Sequence, residues 1–235
     1  MNTKSSTIIA ALLIAAGLLA LGLCLRSGIA SFSARDRVVD VKGLAEREVA
    51  ANKVTWPIMF KEVGNDLPTV YQKVTDTNAQ IVNFLKSNGL TDQEISIGAP
   101  SVQDLTTDRY NNNPLPYNYA VTSVVTVSSA QVREVHSLIN RQGELFSKGI
   151  AITSDYNTRI SYDYTDLNSI KPEMIAEATE NAREAAKKFA EDSNSRLGKI
   201  KTARQGQCSI EDRDPTTPYI KKVRVVTSLT YYLED

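Results

Sequence analysis

At 235 residues, 42% hydrophobic and 23% charged, the chain has the make-up of a globular protein with room for one large or two small domains. Its 27 basic and 27 acidic residues cancel, and beyond position 30 the acidic ones lead by two, which weighs against a nucleic-acid binder. A single histidine and two distant cysteines, Cys24 and Cys208, leave no histidine-rich metal centre, disulfide framework or Cys-based zinc site.

Residues 1–6 form a short polar tail, and Thr7 to Leu25 then runs without a charge. As a helix this run would extend about 28 Å, close to the thickness of a bilayer's hydrocarbon core. It has no polar face, unlike a soluble amphipathic helix. Residues 7–25 are therefore expected to be a transmembrane anchor. The alternative is a signal sequence cleaved before Ser31, with Gly28 and Ala30 as the small residues of the site. The length of the run and Arg26 behind it favour the anchor. Bulky Leu23 argues against lipidation of Cys24. Lys4 precedes the run while Arg26, Arg35 and Arg37 follow it. Positive-inside counting alone would slightly favour a cytoplasmic C-terminus, but long C-terminal domains translocate largely regardless of such charges. Residues 26–37 read as a linker and 38–235 as an α+β ectodomain.

From Val38 the pattern alternates, and a second strand is expected over 54–63. Pro57 inside it points to an edge or bulged position. An amphipathic helix follows over 67–87, with Leu67, Val70, Tyr71, Val74, Ile81, Phe84 and Leu85 on one face and Asn88-Gly89 as its stop. Residues 94–105 should be extended. The stretch 107–116 is a polar, proline-containing loop, and 117–127 is a strand. A shorter helix after Ser129 turns Val132, Val135 and Ile139 inward. Residues 150–164 are extended. The longest helix begins near Asn168 or Ser169, with Pro172 in its first turn and a stripe of Met174, Ala178, Ala182, Ala185 and Phe189. Strands over 199–210 and 219–233 close the order, the last apolar on both sides and so expected to be central and doubly covered. The resulting order, ββαββαβαββ, predicts helices packed on a mixed or antiparallel sheet.

The search for chemistry yields little. His136 lies beside apolar helix positions and has no second histidine to relay with, so a boundary histidine is the plainer reading. No nucleophile elbow, phosphate loop, dinucleotide fingerprint or zinc-protease motif occurs. Carboxylates gather locally: Asp104 and Asp108 flank the polar loop, and Glu211, Asp212 and Asp214 lie in the last turn. Such runs are usually solvated turns, and neither a calcium loop nor an acid–base pair has its spacing here. Trp56 and the tyrosines from Tyr110 onward alternate in strands, which favours core packing over an interface. No catalytic, cofactor-binding or metal-binding residue is assigned, and no cofactor is expected.

Three stretches nevertheless carry a likeness: VVDVKGLAEREVAANKVTW (38–56), LNSIKPEMIAEATENAREAAKKFAEDSNSRLGKIKTARQG (167–206) and KKVRVVTSLTYYL (221–233). The V-x-V-x-G-x-A-E opening and the alanine-spaced helix ending in L-G are the most specific parts. Together they resemble the SIMPL-domain family, a family of unknown function. The resemblance implies a SIMPL-like α+β ectodomain in the bacterial periplasm, behind an inner-membrane anchor with the N-terminus inside. It also implies binding or assembly, since relatives include periplasmic proteins linked to oxidative-stress defence, a ring-forming immunogen and a signalling adaptor. It supplies no catalytic residue. The expected partners are the membrane, through residues 7–25, and further copies of the chain, with no nucleic acid. The alternatives are an envelope hydrolase using carboxylates such as Asp104 or Asp212, and a small-ligand module with an aromatic-lined cleft.

Overall fold

The structure, a computed structural model, describes residues 13–25, 37–107, 116–155 and 158–234. The first stretch, 13–25, is helical (α1) with every residue exposed. No helix among the described residues is long and apolar enough to cross a membrane. Positions 7–12 of the expected anchor, and most of the polar loop at 107–116, lie outside the described residues.

After α1 come β1 (Val38–Ala50), β2 (Lys53–Gly64), α2 (Leu67–Ser87), β3 (Ile95–Ile97), β4 (Ser101–Asp104), β5 (Tyr119–Ser129), α3 (Val132–Asn140) and α4 (Gly143–Phe146). β6 (Ile152–Thr153), β7 (Ser161–Asp163), α5 (Leu167–Asp192), β8 (Arg196–Asp212) and β9 (Ile220–Glu234) complete the chain. The α+β class is as expected, with antiparallel sheets and helices. The region 38–235 contains two compact units. One gathers the described residues up to Arg47 with Asn168–Ser209 and those from Arg224 onward. The other comprises Glu48–Leu167 and Ile210–Val223.

The second unit is built on β2 and β5, paired antiparallel from Val54 opposite Ser129 to Gly64 opposite Tyr119. β3 and β4 extend the sheet beyond β5, and β6 and β7 pair with β2 on its other side. Pro57 is thus not on an edge strand. β7 pairs with Lys53–Thr55 and β6 with Met59–Phe60, so Pro57 falls in the gap between them, where a missing N–H costs no ladder bond. Large side chains fill this core: Trp56, Ile58 and Phe60 from β2, Ile81 and Leu85 from α2, and Leu145 from α4. Asp66 caps α2, accepting from the Thr69 N–H at 3.1 Å, and Gly89 at φ 97° ends it. Tyr71, expected on the buried face, is exposed. Val70 and Val74 already hold that line, and Thr77 fills the next seat, donating to Glu62 at 3.1 Å.

The first unit is α5 on the sheet β1-β9-β8. Arg37 O accepts from Leu233 N, and Glu46 faces Arg224, so β1 and β9 run antiparallel. The buried line of α5 is Met174, Ala178, Ala182, Ala186 and Ala190, all four apart. Of the rest of the expected stripe, Ala185 packs half-buried against the same core, while Phe189 is 60% exposed. An i+4 row of small residues lets the helix backbone lie against the strand, whereas the bulk of Phe189 in that row would hold it away. Pro172 is inside the helix rather than in its first turn, because α5 starts earlier than expected, at Leu167. β9 is central, as expected, but covered on one face only. Val223, Val225, Leu229 and Tyr231 are buried while Lys222 and Arg224 are exposed.

Candidate functional site

Of the expected carboxylates, Asp104 and Asp214 are committed to their own turns. Asp104 accepts from the Thr106 N–H at 2.9 Å and hydroxyl at 2.6 Å, and these bonds hold its carboxyl below the usual range. Asp108 lies outside the described residues. Asp214 accepts from the Thr216 hydroxyl at 2.6 Å, from the Thr217 hydroxyl and from Arg213 at 3.1 Å. These donors, the hydroxyls first, push its carboxyl far down. Asp212 pairs with the buried ammonium of Lys221. Among the described residues no group of three or more His, Cys, Asp or Glu side chains could hold a metal ion.

His136 has a partner that the sequence did not reveal. Its Nδ1 lies 2.8 Å from the Tyr162 hydroxyl, and its ring centroid is 4.8 Å from that of Tyr219. Burial, and then neighbouring Tyr219, raises the Tyr162 phenol above its ordinary value. The pair satisfies a buried hydroxyl at the core boundary. The two residues are distant in sequence, so no local pattern announces the contact. Another polar anchor missed from sequence is Glu94. Its carboxylate accepts from the Ser129 hydroxyl, from the Thr91 N–H at 3.0 Å and from the Thr91 hydroxyl at 2.8 Å. The T-x-x-E spacing of Thr91 and Glu94 was the available signal.

Of the aromatics expected in the cores, some are there and others are not: Tyr219 packs against the second unit's core, while Tyr117 is exposed. Trp56 and Tyr162 are buried in the second unit and Tyr231 in the first. A depression on the open sheet face of the first unit is lined by Asp40, Lys42, Thr202, Arg204, Ser228 and Thr230 with Val41 and Leu229, none of them aromatic. Cys24 and Cys208 are both free thiols.

The residues of the sequence motifs do have a shared place. A Cβ on Gly43 would stand 1.8 Å from Ala178 O and 2.8 Å from Ala182 Cβ. The glycine and the alanines are thus two halves of one close strand–helix approach. Asn181 Nδ2 donates to Leu44 O at 2.8 Å, and Arg47 reaches Glu173 at 2.7 Å, tying the same helix to the same strand.

The sheet of the first unit has two edge strands, β1 and β8. β8 occupies one side of β1-β9-β8, and none of its residues is buried. α5 covers β1 and β9, and only Leu197 of β8 packs against that core.

A family model described as "SIMPL: Protein of unknown function (DUF541)" matches residues 39–230. The chain belongs to the SIMPL family. The match starts within the V-x-V-x-G-x-A-E strand and ends within β9, so the SIMPL region takes in both compact units. No curated protein matches the chain. Gly43 and the alanine row, on which the sequence resemblance rested, are packing devices, and the family description names no reaction.

Proposed function

We propose that this SIMPL protein is held in the bacterial inner membrane through residues 7–25, carries its SIMPL domain on the extracytoplasmic side, and works by assembling with copies of itself rather than by catalysis. The observation that carries the reading is β8, a 17-residue edge strand without a buried side chain. A long open edge presents a row of N–H and C=O groups that a second strand can satisfy. The membrane part rests on the uncharged run itself and on Leu18, Leu19, Leu21 and Leu23, which stand exposed around the helix. A helix apolar on all sides is stable in an apolar medium, not in water. Tethering would also concentrate the domains and strengthen weak contacts between them. The resemblance makes envelope maintenance, and oxidative-stress defence within it, the processes to assay.

Light scattering of the full-length protein in detergent tests the assembly. A mass that is a multiple of the chain is expected, and a monomer across micromolar concentrations would refute it. Fractionation with intact mass tests the tether. Membrane retention of the whole chain is expected, whereas a soluble species beginning at Ser31 would establish a cleaved signal.

A further inference from the structure

β8 runs unbroken from Arg196 to Asp212. One side bonds to β9, and no strand among the described residues lies on the other. Natural edges are usually blunted by proline, by shortness or by charged side chains, lysine above all. β8 contains no proline and is long. Its charge is divided along its length: Arg196, Lys199, Lys201 and Arg204 occupy the first half, Glu211 and Asp212 the end. A parallel neighbour of the same sequence would set like against like, while an antiparallel one sets basic against acidic.

We propose that two copies of this chain pair β8 to β8, antiparallel, about a two-fold axis at Gln205. This rests on the assembly reading above and specifies its surface. Antiparallel pairing about Gln205 brings Lys199 opposite the partner's Glu211 and Ile200 opposite the partner's Ile210, and two-fold symmetry makes each contact twice. Ile200 is 50% exposed and Ile210 37%, so the pairing covers apolar surface now open to water. Neither Lys199 nor Glu211 has an ion-pair partner among the described residues, so both are available. Directly opposed side chains of opposite charge, and opposed β-branched ones, are the stabilising units of a sheet. Centring the pair on Arg204 instead would oppose the two arginines and separate the isoleucines. The charges and the isoleucines thus select the same alignment.

Charge exchange in the full-length protein in detergent tests the alignment. Lys199→Glu and Glu211→Lys should each weaken self-association about tenfold or more, because each opposes like charges twice. The double variant Lys199→Glu/Glu211→Lys should recover it. In a Cys24→Ser/Cys208→Ser background, Gln205→Cys should form a disulfide-linked dimer on oxidation, and Ala203→Cys should not. Circular dichroism checks that every variant keeps the parent melting temperature. Single variants that associate like the parent, a double variant that fails to recover, or linkage at Ala203 in place of Gln205 would each overturn this pairing. In those cases a parent that still shows a multiple mass leaves assembly standing through another surface. A monomeric parent overturns both.

Discussion

The two units solve one problem, a helix on an antiparallel sheet, with opposite materials. In the second, bulky Trp56, Ile58 and Phe60 of β2 meet Ile81 and Leu85 of α2, and stability comes from apolar area removed from water. In the first, Gly43 meets Ala178 and Ala182, and the helix backbone nearly touches the strand. There the gain comes from close contact between many atoms, each contributing little. A bulky core is therefore damaged by removing volume, and a close-approach core by adding it.

The largest expected effect is Trp56→Ala, which empties a site 1% exposed and should cost about 3–5 kcal/mol, with Trp56→Phe milder. Urea denaturation followed by circular dichroism measures both. Gly43→Ala adds a single methyl yet should cost roughly 3 kcal/mol, because the group it meets is the carbonyl of Ala178 rather than a movable side chain. If Gly43→Ala proves harmless, the contrast between the two units fails. The same substitution at Gly89 has open space around it, so any loss there reports its φ of 97° alone.

The smallest effect is electrostatic. Glu94 is held below its ordinary 4.5, first by the Ser129 hydroxyl and then by the Thr91 N–H. A carboxylate lowered on folding adds stability above its unfolded pKa, and that stability is lost as pH falls through the folded value. Glu94→Gln should therefore melt below the parent near neutrality, with the gap closing as the pH drops below about 4.5. A gap constant with pH would show that hydrogen-bond geometry, not charge, is what Glu94 contributes.

Much of the fold was legible because strong local signals agreed with the tertiary ones. Asp66, the apolar spacing and Gly89 bracket α2, and its helix bounds are those read from sequence. The errors arose where a neighbour decided. Phe189 was assigned inward on hydrophobicity, but the buried line of α5 runs through Ala182, Ala186 and Ala190, and the close approach at Gly43 admits only methyl-sized groups at Ala178 and Ala182. Pro57 was assigned to an edge or a bulge, and the split between β6 and β7 explains its tolerance inside the sheet. The His136–Tyr162 bond joins residues 26 apart, so neither local pattern contains it. The open edge of β8 was foreseeable only in general terms, since strand order is not written in alternation.

The order β1-β9-β8 also has a consequence in time. β1 is the first strand described, yet the strand beside it is the last. As the chain emerges, β2 meets β5 and the α2 core well before β1 meets β9. The Val38–Ala50 segment must wait, with its backbone groups unpaired by β9, until residues 220–234 arrive. Contacts so distant in sequence form slowly, and a strand left waiting is exposed to other chains. The final closure of this domain is thus a step that a holding chaperone would protect and that loss of the β9 segment would abolish.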